Sequence, residues 1–407
     1  MSLKKSLLLA SLGTFIEYYD YSIFTLFLPF LAPTFFVGHS EYDSLIMGFY
    51  AILIASIARP IGGIVFGIIG DKFGRKVSLL CSLYGIAIAT LLIGVLPGYA
   101  SIGVYAIIIL IGIRAVQMLC FGGEYSGAGI YVVEIAREKN ISFIGAILTA
   151  MALIGSVGAS LVGMGLTALN PIHPNWRLAF IIGGIIGLIT IFFRQGMSES
   201  VSGHDLNQHI NLSAIFTNYR RQMFAGVCIG GFATLPFTTV LAFINPVLKT
   251  KNYLTSFEFM LLQFSLSIIA VLVLLSSGFI ADRISPHKVM RQASICLIVL
   301  AIPLSLMLQS MLIKWVIVAE ISLVVINEFL LGPSNAYLKQ LFPVQCRYRG
   351  VAFSFCLGMS LVGGLTPVIE NFLYQTTGYM ASIAIWLIFV SLMTYISLQI
   401  TKQDAKF

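Results

Sequence analysis

The chain has 407 residues, of which 58% are hydrophobic and only 10% charged. Soluble domains carry about 25% charged residues, so the composition excludes a water-covered globule and makes lipid the solvent. The formal charge of +8 sits mostly in short breaks between apolar stretches, which marks it as a topological signal and excludes nucleic acid as a partner.

An apolar helix needs about 20 residues to cross the hydrocarbon core. Twelve stretches have that length and are predicted as helices over 8–36, 44–69, 78–96, 101–135, 142–166, 175–193, 220–248, 257–281, 292–311, 313–342, 350–373 and 378–400. The expected fold class is an all-α integral membrane protein. The fourth and tenth stretches are long enough to tilt or to project from the bilayer. With the N-terminus inside, eighteen of the 24 Lys and Arg fall at cytoplasmic ends, so both termini are expected in the cytoplasm. Glu17 and Asp20 interrupt the first apolar run and no small-residue cleavage site follows it. That run therefore reads as a retained span rather than a secretory leader.

The longest polar break, Arg194 to Thr217, divides the spans six and six. The expected organisation is a bundle over 1–194, a cytoplasmic linker loop over 195–219 and a second bundle over 220–407. The halves echo one another, as a parallel internal repeat would. Gly70-Asp71-Lys72-Phe73-Gly74-Arg75-Lys76 makes a tight cytoplasmic hairpin between spans two and three, and Ala281-Asp282-Arg283-Ile284-Ser285-Pro286-His287-Lys288 stands between spans eight and nine. Glu134-Ile135-Ala136-Arg137 after span four is matched by Phe342-Pro343 and Arg347-Tyr348-Arg349-Gly350 after span ten. In the hairpin, Asp71 can cap a helix start or meet the N-terminal dipole of another helix, and Arg75 can pair with Glu134.

Other signals are negative. The six cysteines lie mostly in or beside apolar stretches without metal-ligand spacing, so packing thiols are expected, with no metal and no disulfide framework. All five histidines fall in predicted loops, which argues against an intramembrane histidine relay. Asn140-Ile141-Ser142 and Asn211-Leu212-Ser213 fit a glycosylation sequon but lie on the expected cytoplasmic side. Gly183, Gly184 and Gly187 sit inside a span with no preceding strand, and no Gly-Lys-Ser/Thr phosphate loop is present, so ATP-driven transport is not expected. No nucleophile–base constellation suggests an enzyme.

Several segments together carry a resemblance. They are Phe15-Ile16-Glu17-Tyr18-Tyr19-Asp20-Tyr21, Arg59-Pro60-Ile61-Gly62-Gly63, Arg114 with Gln117, Gly122-Gly123-Glu124-Tyr125, Trp176-Arg177, and Phe342-Pro343 with Arg347 to Gly350. On these residues the chain resembles a major facilitator superfamily transporter, and within it the metabolite:proton symporters, which carry osmolytes such as proline and betaine, oxo-acids, citrate or shikimate. The resemblance implies two six-helix bundles working by alternating access in a bacterial inner membrane. It also implies a small-molecule metabolite as substrate, the proton as coupling ion with no other cofactor, and function as a monomer.

The same resemblance assigns roles. A charge at the centre of a span costs about 2.5–3.5 kcal/mol on insertion scales, so it should face a cavity or a partner. Asp20 and Glu17, three residues apart on one helix face, point at the central path. Asp20 with Arg114 is the expected proton-coupling pair, with Glu17 sharing the proton or binding substrate. A carboxylate in a low-polarity site binds a proton unless a guanidinium neutralises it, so separating the pair frees the acid to titrate. Substrate contacts are expected from Glu17, Tyr18, Arg59, Glu124, Thr238, Asn245, Asn327 and Glu328. Arg59 is also expected to partner a carboxylate of another helix, and Glu320, nearer the outer end, to be hydrated. Gly70, Asp71, Gly74, Arg75, Lys76 and Glu134 should form a cytoplasmic gate with Asp282 and Arg283. The second copy should latch more weakly, since Ser285-Pro286-His287 replaces the glycine-arginine part. Relatives often carry tyrosines in helix seven where this chain has Phe237-Thr238-Thr239, which leaves the substrate unassigned.

The excess of acids over bases in the expected cavity favours a zwitterion over a tricarboxylate. The chain ends a few residues after span twelve, so the C-terminal coiled coil of some osmosensing relatives is not expected. The competing readings are a proton-coupled exporter of amphiphilic compounds, which would show a greasier cavity, and a membrane sensor or channel, for which no appended soluble domain is present.

Overall fold

The computed structural model describes residues 3–36, 40–135, 140–170, 174–197, 217–310, 312–343 and 347–402, without the side chains of 3–6, 71, 72, 133–135 and 348. Twelve long helices cross from end to end among the described residues. The first is Leu3–Phe35, and the second is broken into Glu41–Ser56 and Ala58–Phe73. Arg75–Val95, Val104–Ile135, Ile141–Leu169 and Trp176–Arg194 complete the first half. Most of the expected linker lies outside the described residues.

Helix seven runs as Arg220–Thr238, a π-helical stretch Thr239–Ile244, and Asn245–Thr250. Helices eight to eleven are Ser256–Arg283, Pro286–Gln309, Ile313–Leu341 and Arg347–Thr377, and helix twelve enters through a 3-10 turn, Met380–Ile383, into Ala384–Ile400. Among the described residues eleven helical stretches are long and apolar enough to cross a membrane; helix one, Leu3–Phe35, which carries Glu17 and Asp20, packs with them.

Local sequence explains the breaks. Helix two breaks after Ser56 because Pro60 has no N–H for the Ser56 carbonyl and its ring collides with it, and this sets Arg59 at the bend. Helices two and three are joined by Gly74 alone, at φ 97°, a conformation that glycine adopts without a Cβ penalty. Helix eight starts with a capping box between Thr255 and Glu258. Helix nine starts at Pro286, with Pro in its first turn. His287 is therefore buried in that turn, its ring within 3.0 Å of the Leu398 carbonyl, and not in a loop as expected.

The surface is inverted relative to a soluble protein. Phe192, Phe193, Tyr105, Val299 and Leu272 are exposed, while many serines, threonines and charged groups are buried. An apolar exterior of this extent requires a non-aqueous neighbour, and the protein is a multi-pass membrane protein.

Glycines set the closest helix approaches. A Cβ on Gly62 would strike the Leu119 backbone, and one on Gly122 the Arg59 and Gly63 backbone. In the second half, Gly230 meets Phe355 and Gly358 meets Val227 in the same manner. The repeat read from the sequence extends to a shared packing device: helix seven on eleven is matched by helix one on five, where a Cβ on Gly155 would strike the Phe15 backbone, and helix two on four by helix eight on ten, where Gly332 meets Leu274. Gly183, Gly184 and Gly187 serve packing as well, against Tyr19, Leu91 and Ala87.

Candidate functional site

A narrow cavity lies between the halves. Glu17, Tyr18, Arg59, Thr238, Asn327 and Glu328 supply its polar wall, and Ile52, Met118, Leu153, Phe237 and Met359 much of the apolar one. The break in helix two brings Arg59 to the cavity, where its Nη2 donates to Glu17 Oε1 at 2.6 Å. Glu17 Oε2 has no hydrogen-bond partner. Glu328 enters from helix ten, its Oε1 accepting from Asn327 Nδ2 at 2.9 Å and its Oε2 unpartnered.

Asp20 and Arg114 stand outside this lining. Arg114 Nη1 donates to Asp20 Oδ2 at 3.1 Å and to Gln117 Oε1 at 2.7 Å. Gln117 Nε2 and Thr90 Oγ1 donate to Asp20 Oδ1 at 2.8 and 2.7 Å. The guanidinium lies over Phe24, 4.0 Å from the ring centroid. All the polar members of this network are buried, so the pair sits in a closed pocket between helices one, three and four. The two acids of helix one therefore diverge: Glu17 reaches the cavity, Asp20 the network.

Two expected substrate contacts are placed elsewhere. Glu124 pairs with Arg194 at 2.6 Å and accepts from Ser82 at 2.7 Å, away from the cavity lining. Arg194 also reaches the carbonyls of Leu79 and Ala10, and the missing Gly13 side chain leaves the room both groups occupy. With Oε1 held by Arg194 and Oε2 by Ser82, Glu124 has neither carboxylate oxygen free for a ligand. Asn245 is also fully buried outside the lining, beyond the π-helical stretch. Glu320, expected to be hydrated, is fully buried, with both oxygens unpartnered.

The sequence reading missed Arg194, assigned to a cytoplasmic end, as well as Thr90, Ser82 and Glu370. Glu370 on helix eleven accepts from Thr239 Oγ1 at 2.6 Å. An acid inside an apolar run was the available signal for Glu370; hydroxyls within spans offer none.

The halves also touch at both ends of the cavity. At the hairpin end, Asp282 accepts from the backbone N–H groups of Ser142 and Phe143, each at 2.9 Å. Helix five starts there at Asn140, in a left-handed conformation and without a side-chain cap of its own, so the acid of helix eight satisfies its orphan donors and meets its dipole. The second hairpin copy, from which less was expected, makes this contact because it keeps the aspartate. Arg283 lies over Phe279, Arg75 is buried, and Lys76 opens helix three with it behind Gly74. The side chains of Asp71 and Glu134, and so their expected contacts, lie outside the described residues. At the opposite end Tyr42 donates to Asn371 at 2.8 Å, and Phe49 packs on Phe243 at 6.1 Å.

The family profile described as Major Facilitator Superfamily matches residues 10–367. A Staphylococcus haemolyticus relative named for proline/betaine transport is 31% identical, over 97% of this chain and 86% of its own length. The ectoine/proline transporter ProP of Corynebacterium glutamicum is 27% identical over 97% and 83% of the two chains, and the proline/betaine transporter of Escherichia coli K12 25% over 99% and 84%. A solved D-xylose–proton symporter superposes with a TM-score of 0.75 over 97% of this chain and 98% of its own, at 16% identity. That likeness is one of fold, and the two six-helix bundles expected from the sequence are present.

Proposed function

We propose that this chain, which belongs to the Major Facilitator Superfamily, is a proton-coupled symporter importing a small carboxylate-bearing metabolite, foremost a zwitterion such as proline or betaine, by alternating access. The observation that carries this reading is the cavity between the halves, with Arg59 on one wall and the unshared Glu328 carboxyl on the other. A zwitterion is complementary to that pair: its carboxylate competes with Glu17 for Arg59, and its cationic end meets Glu328. Such a ligand touches both halves at once, so it favours the state in which they close around it. Several relatives are named for proline, betaine or ectoine transport, which supports the same class.

Coupling follows from displacement. When the substrate carboxylate takes Arg59, Glu17 loses its counter-charge in a buried site and is neutralised by a proton. Asp20 responds in the same way as its contact with Arg114 loosens, since an ion separated from its partner in low polarity costs several kcal/mol. Neutral acids let the bundles rock about the site, the Asp282 contact parts, and substrate and protons leave at the hairpin end. In this reading the proton is the coupling ion with no other cofactor, the hairpin end and both termini face the cytoplasm of a bacterial inner membrane, the monomer is the working unit, and no bond of the substrate changes.

The test is proton influx into proteoliposomes holding an entrapped pH dye, under an imposed inside-negative potential. Proline, betaine and ectoine are expected to give saturable acidification, and citrate none. Silence with every zwitterion, from protein that keeps its helical spectrum, would overturn the reading.

A further inference from the structure

We infer that the second half holds a binding site for a monovalent inorganic cation, sodium foremost, at the break in helix seven. This goes beyond the substrate cavity and does not use its residues. Glu320 is fully buried with neither carboxylate oxygen hydrogen-bonded, and no ion pair among the described residues includes it. Asn245, from helix seven, faces it, and neither end of the Asn245 carboxamide has a close hydrogen-bond partner. Gln263, on helix eight, is also fully buried with both carboxamide atoms unpartnered.

Register brings Gln263 to a similar depth. Ser277 of helix eight donates to the Phe329 carbonyl of helix ten at 2.9 Å, and Gly332 abuts Leu274 and Ser277. The two helices run in the same direction, so counting back along both sets Gln263 at a depth within about one and a half turns of Glu320.

The backbone supplies a further donor. Asn245 N–H bonds to the Val240 carbonyl, five residues back, in the π register. The next donor in that register, for the Leu241 carbonyl, falls on Pro246, which has no N–H. One carboxylate, one carboxamide oxygen and a main-chain oxygen thus lie along one buried stretch of helices seven and ten, with the Gln263 carboxamide at a similar depth on helix eight. A buried carboxylate either takes up a proton or needs a counter-charge. An all-oxygen donor set suits a hard cation, the lone charge balances a monovalent one, and unwound helix segments are where membrane carriers bind sodium.

The experiment is the thermal unfolding midpoint of the full-length protein in detergent, in sodium chloride against equal N-methyl-D-glucamine chloride at fixed pH. A saturable rise with sodium, lost in Glu320→Gln and kept in Glu370→Gln, is expected, because a ligand bound only by the folded state raises its stability. Equal midpoints in the two salts, or a rise undiminished in Glu320→Gln, overturn the proposal. So does a wild-type midpoint that moves with pH through Glu320 but not with sodium, which assigns the site to a proton. Should Glu320→Gln fail to fold, radiolabelled sodium binding to wild type and Asn245→Ala decides: weakening by about tenfold supports the site, and unchanged binding removes it.

Discussion

In the first half every buried acid of the described chain meets an arginine: Glu17 with Arg59, Asp20 with Arg114, Glu124 with Arg194. In the second half Glu320, Glu328 and Glu370 are as deeply buried, and none forms an ion pair among the described residues. Two repeats with the same helix packing have thus distributed charge in opposite ways. In the first half each buried acid is thus matched by a guanidinium, and in the proposed cycle it changes state as that partner moves away. The acids of the second half meet neutral side chains only, Asn327 and Thr239 among them, and the proposals above give them a substrate cation, an inorganic cation or a proton as counter-charge. In the proposed cycle the contrast separates a half that exchanges partners from a half that receives them.

The contrast breaks most sharply at Asp20. Asp20→Asn is expected to abolish proton-driven accumulation in proteoliposomes while leaving substrate exchange partly intact; unaltered accumulation would end its coupling role. Next in size is Arg194→Met, which strands Glu124 and should cost about 3–5 kcal/mol, read as a lowered unfolding midpoint that the double variant with Glu124→Gln largely restores. A single variant as stable as wild type would show that the pair adds nothing.

Glu370→Gln should change stability by less than about 1 kcal/mol, since no arginine is orphaned and the amide oxygen still accepts from Thr239. A loss matching that of Arg194→Met would erase the difference between the halves. The smallest effect is expected from Asp282→Asn, about 0.3–1 kcal/mol of helix-dipole attraction. It should raise the labelling rate of a cysteine placed at Asn335, near the hairpin end; an unchanged rate would mean that Asp282 holds nothing closed.

Much of this was legible from the rule that a charge in lipid must find a partner. Glu17, Asp20, Arg59 and Arg114 stand inside apolar runs, and the structure brings them together as two pairs. The rule fails at Arg194, which ends an apolar run where the positive-inside pattern claims every cation, so its fully buried contact with Glu124 left no trace in spacing. Glu320 was read as hydrated from its distance to the helix end, but depth along one helix does not report what covers it. Pro246 announces an irregularity in helix seven, yet a proline signals a kink and not a wider winding. Asn245 was assigned to the cavity on helix number alone, and the extra residue in that winding contributes to turning it elsewhere.

That extra residue has a mechanical meaning. The stretch Thr239–Ile244 stores one residue more than an α-helix of the same rise would hold. Rewinding it to α geometry turns everything beyond by about 100° and shifts it by about 1.5 Å. Lys249, which lies over Phe30 of helix one, 5.6 Å from the ring centroid, would be carried off that ring by torsion alone. The end of the molecule opposite the hairpin thus has a screw as well as a hinge available to it, and Thr239, bonded to Glu370, sits at the thread's first turn.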